Sequence, residues 1–357
     1  MSRKPFGGIS RRTMLGLMAA TSLTAVLPIR SALAADTYTK DNPLKVALVI
    51  HGNLGDKSFL DSAAAGVRKA AAELPVTAKI IEAGLDRSKW QPAFADAADD
   101  DYDVIIVGTF DMTGFLVDIA PQYPDKKFMI FDDAPDFTKA DLGNVLAIQY
   151  RTSTGGYLAG FAAAKISKSG KLGEILGVEG DTVVEFAVGF EQGAKAANPN
   201  ISITRAVAGS FSDPAKGKEL ALAQMNDGCD IIFPIAGGTG VGALQAVRDA
   251  TGGQLAVGVD SDQAAIFEPT DPKQAAVIFT SVEKRVGQSL YEALQQTIAG
   301  SAPFGKSILL GLQDGAVGIS KNAQYEKLVP ADVRALVDEQ EKKIISGEIK
   351  VDSVMKV

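Results

Sequence analysis

The sequence predicts an α/β protein made of two similar units in tandem, each a parallel sheet flanked by helices. Short apolar runs alternate with amphipathic helical patterns from residue 45 onward, which is typical of parallel strands covered by helices. The same alternation restarts at Lys171. Strand-like runs near the C-terminus indicate that the chain crosses back between the units, so that distant sequence completes each sheet.

The elements of the first unit follow from apolar runs rich in Val, Ile and Leu, separated by stretches with apolar residues at helical spacing. Strands are predicted at 45–50, 77–83, 104–108, 127–132 and 145–150. Helices are predicted at 58–73, 89–98, 114–123 and 152–166. No linker rich in Pro, Gly or Ser separates this unit from the next.

The second unit repeats the pattern and then runs into the C-terminal segments. Its strands are predicted at 171–177, 202–208, 231–236 and 255–260, with helices at 182–197, 214–226 and 241–250. A later strand at 276–282 leads into a helix at 283–298. The stretch "SILLGLQDGAVGIS" then predicts a strand pair, and a polar helix ends the chain.

The N-terminus resembles an export signal rather than part of the fold. An Arg11-Arg12 pair precedes an apolar stretch at 14–27 and the small-residue motif Ala32-Leu33-Ala34. This order is typical of a twin-arginine signal, so residues 1–34 are predicted to be removed and the protein to be periplasmic. No cysteine lies near the cleavage point, so no lipid anchor is expected.

Composition limits the function. After cleavage roughly 320 residues remain, which suggests two domains. The net charge of -7 argues against nucleic acid, whose phosphates attract a basic surface. A single histidine, His51, and a single cysteine, Cys229, exclude zinc clusters and internal disulfides. No cofactor, no metal and no catalytic set is expected, and the protein is expected to be a monomer.

The predicted strand ends are polar and rich in glycine. The segments in question are "HGNLGDKSF", "GTFDMTG", "GVEGDTVVEF", "AGGTGVG", "VDSDQ" and "TSVEKR". Any one of them could be only a tight turn or a helix cap. Ligands of open parallel sheets, however, lie beyond the carboxyl ends of the strands. The recurrence of such polar segments at equivalent strand ends therefore favours a small-molecule site in a cleft between two lobes.

Several of these motifs together resemble those of a known family. "GDKSF" at 55–59, "AGGTGVGA" at 236–243, "GVDSDQ" at 258–263 and "TSVEKRVGQSLYEAL" at 280–294 stand in the order found in the basic membrane protein family. These proteins are the substrate-binding components of ABC importers and include purine nucleoside receptors. The resemblance implies partnership with an ABC permease and ATPase, and contact with the membrane only through the permease.

The resemblance also implies the fold of type I periplasmic binding proteins, with three hinge crossings between the lobes. These crossings are expected near 149–152, 280–283 and 312–316. Lobe 1 would then comprise residues 43–150 and 283–312. Lobe 2 would comprise residues 151–282 and 313–357.

The resemblance places the base of a nucleoside between two aromatic rings. Phe59 and Phe186 match the residues that stack on the base, a contact that contributes about 1–3 kcal/mol per base. Asp56 and Asp111 would accept hydrogen bonds from the donors of the base. Phe110, next to Asp111, is a possible third ring, and which of the two faces the ligand stays open.

The ribose would be held by a charged pair. Asp260 and Lys284 match residues that accept from and donate to the two vicinal hydroxyls. Gly237 and Gly238 would let the backbone approach the sugar closely, because no side chain intervenes. Ser58 would present a hydroxyl to the cleft from the first turn.

The sequence departs from the family pattern at several of these positions. Leu60 follows Phe59 where many relatives carry Asn, the stretch at 109–112 is shorter than usual, and Glu185 stands where Arg is common. Phe186 could instead be a core residue of its helix, and Asp260 could only cap a turn. The identity of the base is therefore less certain than the class of ligand.

Other functions stay open. Within the same fold, the ligand could be riboflavin or a simple sugar. "GGTGVGA" followed by Asp260 also has some likeness to a dinucleotide-binding turn, which would suggest an exported NAD(P)-dependent oxidoreductase. Its glycine spacing does not match that motif, and no catalytic residues follow it.

Overall fold

The computed structural model describes residues 38–355, so the predicted export signal at 1–34 lies outside the described part of the chain. Within 38–355, no helix has both the length and the apolar character needed to cross a membrane. The strands of the described chain are β1 Leu44–Ile50, β2 Val76–Glu82, β3 Val104–Gly108, β4 Lys127–Phe131, β5 Val145–Tyr150, β6 Lys171–Leu176, β7 Ser202–Val207, β8 Ile231–Ile235, β9 Leu255–Asp260, β10 Ile278–Lys284, β11 Lys306–Leu310 and β12 Val317–Ile319. They form two sheets of six strands each, in the order β11-β5-β4-β3-β1-β2 and β12-β10-β9-β8-β6-β7.

Helices cover both sheets. They are α1 Phe59–Glu73, α2 Trp90–Asp99, α3 Phe110–Ile119, α4 Ser153–Ile166, α5 Asp181–Ala197, α6 Pro214–Asn226, α7 Gly237–Asp249, α8 Gln263–Phe267, α9 Pro272–Ala275, α10 Val286–Ile298, α11 Ala323–Leu328 and α12 Ala331–Ile345. Central strands such as β1, β3 and β8 are buried almost throughout, because helices lie on both faces of a parallel sheet. We call the first sheet with its helices lobe 1 and the second sheet with its helices lobe 2.

The sheets are parallel with one exception. Every strand pair of the first sheet is parallel, and in the second sheet only the short β12 runs antiparallel, against β10. β11 and β12, the two strands predicted from the stretch "SILLGLQDGAVGIS", belong to different sheets. The predicted fold class is confirmed, since two helix-flanked parallel sheets are completed by strands from the C-terminal part of the chain.

The chain passes between the sheets at three places: after β5, after β10, and between β11 and β12. The second crossing lies later than the predicted 280–283, because β10 continues to Lys284 and pairs with β9 as far as Glu283. Lys284 is therefore the last strand residue before the chain returns to α10. Its place at this crossing matters for the site described below.

Two helices begin several residues earlier than the sequence pattern predicted. α3 begins at Phe110 instead of 114, because Thr109 caps it by accepting a hydrogen bond from the Asp111 N–H. α7 begins at Gly237 instead of 241, although glycine disfavours helices. A Cβ at Gly242 would lie 1.8 Å from the Pro214 carbonyl oxygen, so this glycine permits the close contact between α7 and α6.

Glu185 is fully buried in α5 and binds the C-terminal segment. Its Oε1 accepts from Ser153 Oγ at 2.6 Å. Its Oε2 accepts from Ser353 Oγ at 3.1 Å, from the Val354 N–H at 2.8 Å and from the Met355 N–H at 3.3 Å. The residue that departs from the family pattern thus has a structural role within lobe 2, next to Phe186.

Replacing Glu185 with alanine should lower the free energy of unfolding by about 3 kcal/mol, because one buried hydrogen bond and three partly buried ones would lose their acceptor. Urea unfolding measures the loss. Glu339→Ala is the matched control, since Glu339 forms only an exposed ion pair with Lys343, and it should cost less than about 0.5 kcal/mol. Equal losses in the two variants would contradict the structural role of Glu185.

Candidate ligand-binding cleft

A cavity of about 450 Å³ lies between the two lobes, at the carboxyl ends of the strands of both sheets. Lobe 1 contributes the segments after β1, β3 and β4, and lobe 2 contributes the start of α5, the start of α7 and the ends of β9 and β10. Of the ten residues predicted for the site, nine line this cavity: Asp56, Phe59, Phe110, Asp111, Phe186, Gly237, Gly238, Asp260 and Lys284. Ser58 does not line it.

A buried lysine between two carboxylates forms one part of the cavity wall. Lys284 Nζ lies 2.9 Å from Asp132 Oδ2 and 3.3 Å from Asp260 Oδ1. The three side chains are at most 9% exposed. Asp132 comes from lobe 1 and Asp260 from lobe 2, so this charged cluster, which we call the lysine triad, joins the lobes beside a hinge crossing.

The lysine triad has one positive charge for two carboxyl groups. Burial raises the pKa of Asp132 to about 6, which the nearby Lys284 opposes and Asp260 reinforces. Burial alone would lower the pKa of Lys284, but the two carboxylates outweigh it and the net direction is upward. An excess of carboxylate oxygens in a dry site favours a ligand that supplies hydroxyl donors.

Asp132 was missed by the sequence prediction of the site. It directly follows β4, so its signal was the same as that of the other polar strand ends, yet the pattern assigned it to the strand itself. Its partner Lys284 is 152 residues away in the chain. No local pattern could show that the two side chains meet.

Strained backbone marks the same region. The non-glycine residues with left-handed φ among residues 38–355 are Lys57, Thr109, Asp132 and Asp260. Three of them line the cavity, and Lys57 lies in the turn beside it. Such conformations cost on the order of 1–3 kcal/mol each and are concentrated at functional sites. Gly237, with φ of 50°, brings the first turn of α7 to the cavity without a side chain.

Two aromatic rings flank the lysine triad. Lys284 Nζ lies 4.4 Å from the centroid of the Phe59 ring and 5.1 Å from that of the Phe186 ring. Phe59 packs against Phe131, with ring centroids 5.3 Å apart, and Phe186 packs against Phe233, with ring centroids 6.5 Å apart. Phe186 is 2% exposed, so it is part of the core of lobe 2 as well as of the cavity wall.

The turn between β1 and α1 is stabilised by hydrogen bonds within the protein. The Asp56 carboxylate accepts from the backbone N–H groups of Ser58, Leu60 and Asp61, which fixes the start of α1. Burial raises the pKa of Asp56 to about 6, although those hydrogen bonds oppose the shift. These bonds account for Asp56 without any ligand, and its assignment to the base gains no support from them.

The same turn also links the lobes. Ser58 is fully buried, and its Oγ donates to Asp260 Oδ2 at 3.4 Å instead of facing the cavity. Ser261 Oγ donates to the Ser58 carbonyl at 3.2 Å, and Gln263 Nε2 donates to the Lys57 carbonyl at 3.2 Å. The Ser58 hydroxyl thus holds the Asp260 carboxylate in place and does not face the cavity.

A second polar group of residues lines another part of the cavity. His51 and Trp90 meet edge to face, with ring centroids 5.3 Å apart. His51 Nε2 lies 3.3 Å from Thr109 Oγ1, and Asp111 forms a salt bridge with Arg87. Phe110 is 40% exposed and lies at the mouth of the cavity, so both Phe110 and Asp111 reach it.

Comparison with known proteins identifies the family. Residues 44–354 match the Bmp family, described as ABC transporter substrate-binding protein PnrA-like. This chain belongs to the Bmp family. It is 33% identical over 310 residues to basic membrane protein A of Borreliella afzelii, covering 86% of this chain and 91% of that protein. The family consists of transporter binding proteins and not of enzymes, and such proteins act outside the cytoplasmic membrane.

Solved structures confirm the type I periplasmic binding protein fold. An ABC transporter solute-binding protein of Aeropyrum pernix K1 matches with a TM-score of 0.78 and 27% identity, over 88% of this chain and 94% of that one. The periplasmic binding protein of the arabinose ABC transporter from Shewanella sp. ANA-3, bound to L-arabinofuranose, matches with a TM-score of 0.57 and 18% identity, over 86% and 98% of the two chains. The second likeness shows the fold alone.

Proposed function

We propose that this Bmp-family protein captures a nucleoside, and a purine nucleoside in particular, in the cleft between its lobes and delivers it to an ABC permease and its ATPase. The observation that carries the proposal is the lysine triad flanked by Phe59 and Phe186. Carboxylates with a surplus of acceptors suit the vicinal hydroxyls of ribose, and the rings suit an aromatic base. A nucleoside is a ligand that joins these two features in one molecule.

Binding and release follow from the arrangement of the crossings. A ligand held by Asp132 of lobe 1 and Asp260 of lobe 2 contacts both lobes at once, so it stabilises the closed arrangement more than an open one. Closure also removes water from the charged groups and strengthens their hydrogen bonds to the ligand. We propose that the protein works in the periplasm as a monomer.

Two other ligands fit the same fold. The Shewanella neighbour binds arabinofuranose, and the lysine triad alone would suit a free pentose. Riboflavin combines a flat ring system with hydroxyl groups and would use both features. A sugar site usually combines one or two aromatic rings with many planar polar side chains, whereas a stacked base needs two rings. Because Phe59 and Phe186 both flank the triad, we favour the nucleoside.

A thermal-shift screen of unfolded and refolded, ligand-stripped protein tests the proposal. Adenosine, guanosine or inosine at a hundredfold excess over Kd should stabilise the folded state by about 2.7 kcal/mol. For a chain of this size the midpoint should rise by roughly several degrees. Free ribose should give little shift, because it lacks the stacking base. A response to ribose or arabinose alone would replace the proposal with a sugar binder, and a response to riboflavin alone would overturn the purine assignment.

A further inference from the structure

Two polar groups of residues line the cavity, and each has its own charged neighbours. The charged groups that act on Lys284 are Asp132 and Asp260, whereas those that act on His51 are Asp111 and Arg87. If the lysine triad binds the sugar of a nucleoside, we expect the base to contact the second group in the same cavity. His51 is the residue there whose hydrogen-bonding capacity can be worked out from its neighbours.

The position of the His51 ring is fixed by two contacts. Its edge-to-face contact with Trp90 has an angle of 81° between the ring planes. Its Nε2 lies 3.3 Å from the hydroxyl of Thr109. Thr109 is itself buried and held in a left-handed backbone conformation at the start of α3, so it offers a rigid partner. The ring is thereby oriented before any ligand binds.

The hydrogen bonds of Thr109 favour one of the two neutral forms of the His51 ring. Thr109 Oγ1 accepts from the Asp111 N–H at 3.4 Å, so its own hydrogen needs an acceptor. Among residues 38–355 the acceptor in reach of that hydroxyl is His51 Nε2. We therefore assign Nε2 as the acceptor, because this arrangement gives the Thr109 hydroxyl hydrogen a partner, and the proton of the neutral ring then lies on Nδ1. Burial lowers the pKa of His51, with Asp111 opposing and Arg87 reinforcing the shift, so the ring is neutral at pH 7.

The Nδ1–H group of His51 has no hydrogen-bond partner among the described residues, and His51 lines the cavity. A donor in a largely desolvated site favours a ligand that brings an acceptor to it and disfavours one that brings another donor. The contrast between purines is of this kind. Inosine and guanosine carry an exocyclic carbonyl oxygen at position 6, whereas adenosine carries an amino group there.

We propose that His51 is a specificity-determining residue that donates from Nδ1 to the 6-carbonyl oxygen of the base, so that the protein prefers 6-oxopurine nucleosides to adenosine. The inference rests on the proposed nucleoside function and narrows its substrate class. Asp111, held by Arg87, lies beside His51 and supplies an acceptor for the N1–H group that accompanies the carbonyl in these bases. Adenine has the opposite pattern, an amino donor beside a bare ring nitrogen.

The test measures dissociation constants for inosine, guanosine and adenosine by calorimetry, with wild-type protein and two variants. Wild-type protein should bind inosine at least about tenfold more tightly than adenosine, since a donor facing a donor leaves both unpaired. His51→Phe keeps a ring against Trp90 but removes the donor. It should weaken inosine roughly tenfold and change adenosine much less, so the preference disappears.

His51→Asn is the matched variant, because its side-chain N–H takes the place of Nδ1–H. It should keep most of the preference for inosine. If His51→Phe does not fold, the Asn variant together with His51→Gln, whose amide reaches toward Nε2 instead, gives the same comparison. Equal wild-type affinities, tighter binding of adenosine, or an equal loss for both ligands in His51→Phe would overturn the inference alone. Absence of binding by every nucleoside would overturn the proposed function with it.

Discussion

Lys284→Met should lower the free energy of unfolding by about 3–5 kcal/mol and abolish nucleoside binding, because two buried carboxylates would lose the cation that pairs with both of them. Asp132 Oδ2 and Asp260 Oδ1 lie within 3.3 Å of Lys284 Nζ, and the lysine side chain is 4% exposed. Methionine fills a similar volume without the charge, so the loss reports the ion pairs and not a cavity. Urea unfolding and a thermal-shift titration measure the two effects.

The chain offers a close control in Lys321. Its Nζ also contacts two carboxylates, those of Asp338 and Glu341, but its side chain is 36% exposed. Lys321→Met should therefore cost less than about 1 kcal/mol and leave binding unchanged. Similar losses of stability in the two variants would show that burial does not set the value of the lysine triad. Retained nucleoside binding by folded Lys284→Met would remove Lys284 from the site.

Asp260→Asn separates binding from stability. Lys284 keeps its ion pair with Asp132 in this variant, and asparagine tolerates the left-handed backbone of residue 260. The fold should therefore persist, in contrast to Lys284→Met. Binding should still weaken, because a neutral amide presents one acceptor and one donor where the proposed ribose needs two acceptors.

The strands were predictable because burial on both faces gives continuous apolar runs. β3, β5, β9 and α6 have the predicted bounds, and most other strands differ by a residue or two. The starts of α3 and α7 were not predictable in the same way. The first depends on a threonine cap in an unusual conformation, and the second lies in a run of glycines, which disfavour helices.

The site was predictable only as far as single strand ends reveal it. Phe59, Asp260 and Lys284 each follow or end a strand, so their approach to one cleft follows from the topology. The topology does not show which polar side chains form their hydrogen bonds with other groups of the protein. The Asp56 carboxylate accepts from a backbone N–H group at the start of α1, and Ser58 Oγ donates to Asp260. The sequence had assigned both residues to the ligand.

Phe59→Ala should weaken purine nucleoside binding roughly ten- to a hundredfold, because a base stacked on the ring contributes about 1–3 kcal/mol. The centroid of the Phe59 ring lies 4.4 Å from Lys284 Nζ, so a ligand bound to the lysine triad lies close to this ring. Stability should fall less than in a core deletion, since Phe59 is only partly buried. Titration calorimetry with inosine and with free ribose measures the effect.

Two comparisons give the Phe59 result its meaning. Phe59→Tyr keeps the aromatic face and should bind nucleosides nearly as well as wild-type protein. Phe94→Ala removes a fully buried ring of lobe 1 that does not line the cavity, so it should reduce stability by about 3–5 kcal/mol without changing the affinity of the folded protein. If Phe59→Ala binds nucleosides as tightly as Phe59→Tyr, stacking on this ring does not hold the base. The lysine triad would then be the main determinant of binding. Because hydroxyl groups alone can satisfy the triad, a simple sugar would become the favoured ligand.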